Sequence, residues 1–288
     1  GGDTLGVYNN DNRNDKNFMS ACFDNEKTIW IADSINGLFK IYQYDQIEFV
    51  QPQGPVSNTV FDLKFFNSKL YLCHGGHSNF SVNNLNYEGV SIFENMSWRN
   101  YNSYELSNGR DIVSSLANSD TEYFASWYDG IIKISSEGSR TKYGYNNTGG
   151  VLDTTYYSNN RIQISSMIFD KYGNLWGLNS QVQKPLFVKS SDNQWFSYSI
   201  NLPIEGLYFN EILIDNSNQK WGVIAKGNGR GLFVYDDNNT LETETDDQYT
   251  LITTNIGQGA LPNNNVNCIT KDINGEIWVG TSQGICVF

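Results

Sequence analysis

The chain has 288 residues, a formal charge of −12 at neutral pH and 39% hydrophobic residues, with aromatics alone at 14%. No run of 18 apolar residues offers a membrane-spanning helix, and the acidic balance argues against nucleic acid, which requires a basic surface. No Gly-x-Ser-x-Gly elbow, Gly-rich phosphate loop after a strand, or Cys-x-x-Cys or Cys/His metal spacing is present, so the usual hydrolase, nucleotide and zinc signatures are missing.

No helix-period run stands out; short β segments between Gly- and Asn-rich turns do. Thr4–Asn9 (TLGVYN) reads as a lone strand. Six groups of segments follow. The first four-strand group is Phe18–Asp24, Thr28–Ala32, Leu38–Gln43 and Gln46–Gln51. The second is Val60–Phe66, Lys69–Cys73, Gly89–Phe93 and Ser97–Tyr101. The third is Ile112–Ala117, Glu122–Ser126, Ile131–Ile134 and Thr141–Tyr145. Ile162–Asp170, Leu175–Leu178, Leu186–Lys189 and Gln194–Tyr198 make the fourth, and Asn210–Asp215, Gln219–Ile224, Leu232–Tyr235 and Tyr249–Thr254 the fifth. The last has three: Val266–Asp272, Glu276–Gly280 and Ile285–Phe288.

These groups repeat one sentence. Asp24 precedes Trp30 as Asp170 precedes Trp176, Asp215 precedes Trp221 and Asp272 precedes Trp278, and a Gly-apolar start follows in Gly37-Leu38, Gly231-Leu232 and Gly284-Ile285. With Tyr71 and Phe124 standing for the Trp in two weaker copies, the anchor aromatics are spaced by 41, 53, 52, 45 and 57 residues. A further 40 residues close the circle through the joined termini, so there are six units at the usual propeller period. A lone four-stranded meander cannot bury both faces, whereas radial packing against neighbours can. The expected fold is all-β: a six-bladed β-propeller of four-stranded antiparallel blades, closed by pairing Thr4–Asn9 with the last blade, with seven blades as the alternative count. The expected organisation is a single propeller domain over residues 1–288, excised from a longer protein. The repeated Asp is expected to cap its turn and the Trp to fill space between blades, because repetition in every blade suits packing better than a single site.

In such blades the loops between second and third strands share one end with the loops leaving outer strands. Long loops fall there: His74–Glu88, Asn147–Arg161, Asn179–Pro185, Ala225–Gly231 and Asn255–Asn265. Long loops on a rigid scaffold are the expected binding surface. The candidate ligand-binding residues are His74 and His77 in CHGGHSNF, Arg110 and Arg161 before inner strands, and Lys184, Lys226 and Arg230 in second-to-third-strand loops. Arg residues there suit an anionic sugar or phosphate. His-x-x-His alone is a weak metal signal without a nearby carboxylate pair, so no metal, cofactor or catalytic residue is assigned. The acidic run Asp236–Asp247 lacks the order of a calcium loop and reads as solvated charge. Trp98 and Trp195 read as packing residues of outer strands, with sugar or partner binding as the alternative, and Cys22, Cys73, Cys268 and Cys286 as buried thiols, with one disulfide as the alternative.

The unit VNCITKDINGEIWVGTSQGICVF, with ISSMIFDKYGNLWGLNS and ILIDNSNQKWGV, resembles the repeat of the two-component regulator propeller family. The order of its variations, including the His-Gly-Gly insertion of the second unit and the Pro of the fourth, is similar to the second propeller of the PorZ-type proteins of the type IX secretion system. That resemblance implies a cell-surface protein of Bacteroidetes. Such a protein works with a sortase-like partner and attachment-complex components that join cargo to anionic lipopolysaccharide, and it binds or presents that glycolipid. No family site motif maps onto individual residues here. Two function classes stand: a non-enzymatic surface binding module of this kind, holding an anionic glycan or a protein partner, and the periplasmic sensor propeller of a hybrid two-component regulator that binds an oligosaccharide.

Overall fold

The computed structural model describes residues 17–35, 37–41, 47–50, 53–80, 82–227 and 230–288. The chain divides into two compact units, Gly1–Gly54 and Pro55–Phe288. The first contains one antiparallel sheet in the order β1 (Phe18–Phe23), β2 (Ile29–Asp33), β3 (Gly37–Ile41), β4 (Ile47–Val50).

The second unit carries the other five sheets. Sheet two starts with β5 (Asp62–Phe66) and β6 (Lys69–Cys73); a small hairpin, β7 (His77–Ser78) and β8 (Val82–Asn83), interrupts it; β9 (Val90–Glu94) and β10 (Ser97–Tyr101) complete it. Sheet three is β11 (Ile112–Ala117), β12 (Thr121–Ser126), β13 (Gly130–Ser135) and β14 (Arg140–Tyr143). Sheet four is β15 (Ile164–Phe169), β16 (Leu175–Asn179), β17 (Leu186–Lys189) and β18 (Trp195–Tyr198). Sheet five is β19 (Tyr208–Ile214), β20 (Lys220–Lys226), β21 (Gly231–Asp236) and β22 (Gln248–Ile252). Sheet six has three strands, β23 (Val266–Lys271), β24 (Ile277–Thr281) and β25 (Gly284–Val287). Each is an antiparallel meander, and together they are the six expected propeller blades. The pairing proposed for Thr4–Asn9 lies outside the described residues. Among the described residues no helix is long and apolar enough to cross a membrane.

In the second unit each inner strand lies beside the next, from β5 through β11, β15 and β19 to β23. The core is correspondingly divided into four clusters between consecutive blades. Tyr71, Ile92, Phe124 and Ile132 pack between sheets two and three, and Val113, Ile131, Met167 and Phe187 between three and four. Trp176, Leu178, Phe209 and Phe233 fill the space between four and five; Trp221, Val223, Ile269 and Val279 that between five and six. Trp195 also packs across blades, its ring centre 5.1 Å from that of Tyr143 at an angle of 59°, while Trp98 packs on Phe93 of its own sheet.

The Asp–Trp spacing has a sharper cause than turn capping alone. Asp170 Oδ1 accepts the backbone N–H of Tyr172 (2.9 Å) and Asn174 (2.8 Å), and Oδ2 accepts Trp176 Nε1–H at 3.0 Å. Asp215 takes Trp221 Nε1–H at 3.0 Å, Asp24 takes Trp30 at 2.9 Å and Asp272 takes Trp278 at 3.4 Å. One carboxylate therefore folds its turn and satisfies the indole of the next strand, which is buried between blades at Trp176 and Trp221, whereas Trp30 is half-buried and Trp278 is exposed rather than filling space between blades as expected.

The acidic run of sheet five is not a solvated loop. Lys220 Nζ meets Asp237 Oδ1 at 2.6 Å with both side chains inaccessible, and the ammonium lies 4.1 Å from the Trp176 ring centre. Tyr198 donates to Leu241 O (2.8 Å), Tyr235 to Asp247, and Lys184 pairs with Glu244 at 2.7 Å. The loop between β21 and β22 thus clasps sheet four. A charge run reads as solvated when its counter-charge lies elsewhere in sequence; here Lys220 arrives from the adjacent strand. All four cysteines are free: Cys73 is buried, Cys286 half-buried, but Cys22 and Cys268 are exposed rather than buried as expected.

Candidate functional site

The insertion of sheet two builds the most elaborate feature of the long-loop end. After β6, His74 is wholly buried, with Nδ1 2.8 Å from Thr59 O and Nε2 2.8 Å from Ser91 Oγ. Gly75 then donates to Ile112 O at 2.9 Å; a Cβ there would fall 2.1 Å from Ile112 N, so only glycine lets the chain pass this close to sheet three. The return limb is held by the buried Asp111, whose carboxylate accepts Leu85 N–H (3.0 Å) and Asn86 N–H (2.9 Å). Burial pushes the Asp111 carboxyl up from its usual range.

Between these limbs the hairpin β7–β8 pairs His77 with Asn83 and Ser78 with Val82. His77 sits among three aromatic rings, 5.0 Å from Phe61, 4.4 Å from Phe80 and 4.4 Å from Trp127. Its Nδ1 accepts Phe80 N–H at 3.2 Å, which calls for the neutral ring protonated on Nε2. Burial lowers the imidazole pKa to about 4. The hairpin is then bonded to three further sheets. Trp127, in the β12–β13 turn, donates its indole N–H to Phe80 O (3.2 Å), and its own carbonyl accepts Asn83 Nδ2–H at 2.7 Å. Arg161, ahead of β15, donates to Asn83 Oδ1 at 3.1 Å. Lys226, at the end of β20, donates to Asn79 O at 3.3 Å and lies 5.5 Å from the ring of Tyr208, which in turn stacks on Trp127 at 6.2 Å. One hairpin from sheet two therefore bridges sheets three, four and five at the end where the long loops converge.

Of the seven sequence-predicted residues, His77, Arg161 and Lys226 come together here. His74 is an internal strut with both ring nitrogens engaged, so the two histidines do not form a pair. Arg110 is held by Asp129 through Nε (2.9 Å) and a second guanidinium nitrogen (2.8 Å), with its guanidinium 3.8 Å from the Tyr128 ring centre; the carboxylate raises its pKa further. Lys184 belongs to the acidic clasp. Arg230 is exposed. Among the described residues no three His, Cys, Asp or Glu side chains gather as metal ligands. Phe80, Asn83, Trp127 and Tyr208 were not foreseen. Trp127 alone carries a signal, since it stands three residues beyond Phe124, the aromatic that keeps the repeat register.

Around the bridge lie exposed aromatic and charged side chains. Tyr156 and Tyr157 stand edge to face with ring centres 4.9 Å apart, and Tyr157 donates to Glu205 Oε1 at 3.0 Å. A groove of about 400 Å³ beside them is lined by Tyr128, Lys142, Tyr145, Asn146 and Asn160.

Residues 260–283 match the family model described as two component regulator propeller. That unit, which includes Asp272 and Trp278, is similar to the repeat of this family. No curated protein matches the chain in sequence. Among solved structures, PorZ, described as an essential bacterial surface component of the type-IX secretion system of Porphyromonas gingivalis, shares the fold with a TM-score of 0.74 and 22% identity over 94% of this chain and 38% of its own. The extracellular domain of the one-component system BT4673 from B. thetaiotaomicron gives 0.58 and 16% over 94% and 38%. Virginiamycin B lyase from Staphylococcus aureus gives 0.54 and 13% over 94% and 84%. The chain spans about two fifths of the length of the first two. At these identities the likeness is one of fold.

Proposed function

We propose that the chain is a non-enzymatic cell-surface binding module serving type IX secretion, and that its long-loop end holds an anionic glycan such as lipopolysaccharide. The observation that carries this reading is the bridge itself. A hairpin pinned across four sheets gives a rigid platform held by Arg161 and Lys226, with exposed Tyr156 and Tyr157 near it and Arg230 exposed in the β20–β21 loop. Cations on a preorganised surface suit phosphate and carboxylate groups, and exposed rings suit the apolar faces of sugars. The doubly engaged ring of His74 and the half-buried, neutral His77 support a binding role over acid–base chemistry at this end. In this reading the chain is one propeller of a longer surface protein, and a sortase-like protein is its partner.

The test is binding of the chain to purified anionic lipopolysaccharide and to neutral oligosaccharides at low and high salt. Salt-sensitive binding to the glycolipid, weakened about ten-fold or more by Lys226→Ala with Arg230→Ala, is the expected result, as two charge-assisted contacts are removed. Binding of neutral oligosaccharides alone favours the sensor propeller of a two-component regulator, the reading that the match at residues 260–283 supports. No binding to either refutes the glycan reading.

A further inference from the structure

A second site lies deeper, where the inner strands of the second unit meet. β5, β11, β15 and β19 border a cavity of about 240 Å³ that is open on one side, below the roughly 300–1,000 Å³ of sites for drug-sized ligands and of a size for one sugar ring. Phe61, Asp62, Lys64, Ser165, Asn210 and Glu211 line it. Its polar groups are only partly used within the protein. Lys64 Nζ lies 3.9 Å from Asp62 Oδ1 and 3.6 Å from Glu211 Oε1. Asp62 Oδ2 and Ser165 Oγ are buried with no hydrogen-bond partner, and Ser165 is only 8% exposed. Buried polar atoms left unpaired are costly and mark a missing partner. Burial also holds the Asp62 carboxyl above its usual range.

The chemistry narrows the class of partner. Two carboxylates against one ammonium disfavour an anion. Lys64 already occupies the place between the carboxylates that a metal cation would take. What remains is a set of acceptors (Asp62, Glu211), donors (Lys64, Asn210) and a hydroxyl able to do either (Ser165), with the apolar ring of Phe61 at one side; Asn210 Nδ2 also donates to Asn267 O and Glu211 Oε2 also accepts Ile269 N–H, both at a long 3.4 Å. Hydroxyl groups, each donor and acceptor at once, fit such a set, and the C–H face of a pyranose fits the ring. We propose that this cavity is a binding site for a single neutral monosaccharide, separate from the long-loop surface. Phe61 also packs 5.0 Å from His77, so the bridge hairpin forms part of the wall behind the sugar.

The experiment is saturation-transfer NMR on the whole chain with D-glucose, D-galactose and D-mannose, and D-glucuronate as the anionic control. At least one neutral hexose should receive saturation with a Kd on the order of 1 mM, and glucuronate should not. Asp62→Asn and, separately, Ser165→Ala should weaken that binding about ten-fold or more. Ser165→Ala removes a single oxygen with no bond to lose, so it answers the question even where Asp62→Asn fails to fold. Absence of transfer to all three hexoses at concentrations of about 50 mM overturns the proposal, and so does binding indifferent to both cavity substitutions.

Discussion

Protonation of His77 should loosen the bridge. In the folded protein its pKa is held at about 4, against 6.5 for an ordinary imidazole, by burial among Phe61, Phe80 and Trp127. The folded state thus binds fewer protons than the unfolded one between these values, and stability rises with pH across that window. No penalty exists well above pH 6.5; it grows as pH falls toward 4 and is constant below. At about 1.4 kcal/mol per pKa unit the full cost is about 3 kcal/mol, and about 2 kcal/mol once the partial solvent contact of a half-buried ring is allowed for. For a 288-residue protein, with an unfolding entropy of about 0.6 kcal/mol/K, that is a fall in Tm of about 3 °C between pH 7.5 and 4.5 beyond the general acid loss. The assay is thermal unfolding of the wild type and His77→Phe over this range. Phe fills the aromatic niche without titrating, so the variant should lose less stability than the wild type as pH falls. Proton NMR gives the site value directly, because the chain has only two histidines. A His77 midpoint near 6.5, or identical pH slopes for the two proteins, refutes the reasoning.

The acidic clasp offers a second test. Removing one partner of a fully buried ion pair leaves the other charge stranded, so Lys220→Ala or Asp237→Ala should each cost about 3–5 kcal/mol in chemical denaturation, while Lys220→Met with Asp237→Leu should recover much of it. The turn carboxylates should differ with burial. Asp170→Ala leaves the buried indole N–H of Trp176 unpaired and should cost about 2–3 kcal/mol, whereas Asp272→Ala, at an exposed turn, should shift the unfolding midpoint less.

Much of the architecture was legible because it is local. Every expected strand of residues 18–288 is present, with ends moved by a few residues, since alternation, Gly turns and the Asp–Trp pairs act within about ten positions of one another. The indole–carboxylate bond itself was not read, although its spacing was, because Asp and Trp were each assigned a task of their own. The bridge was hidden for a different reason. Its strands are two residues each, too short to alternate, and its bonds run from Asn83 to Trp127 and Arg161 and from Lys226 back to Asn79. Contacts so distant in sequence follow from blade order only once the insertion is known to lean inward. Lys220–Asp237 was missed likewise: the acidic run was visible, the buried lysine facing it was not.

The departures from the repeat are where the chemistry gathers. In the sheets that keep Asp and Trp, each unit satisfies its own turn and its own indole, and the repeated Asp is spent within the unit. Sheet two turns instead through Asn67 and Ser68, both at positive φ, and its anchor Tyr71 must find an acceptor outside its unit, at Glu122 of sheet three (2.9 Å). Sheet three replaces the Trp with Phe124 and moves its indole to Trp127, where it binds the hairpin rather than a turn. These two adjacent units therefore depend on each other and on the insertion between them, and they supply the hairpin of the bridge and five wall residues of the cavity, Phe61, Asp62, Lys64, Val113 and Ser114. A repeat that closes all its own hydrogen bonds makes a scaffold; a unit that leaves them open must be completed from outside, by a neighbouring blade or by a ligand. That physical asymmetry, rather than loop length alone, singles out this side of the protein as the place to look for binding.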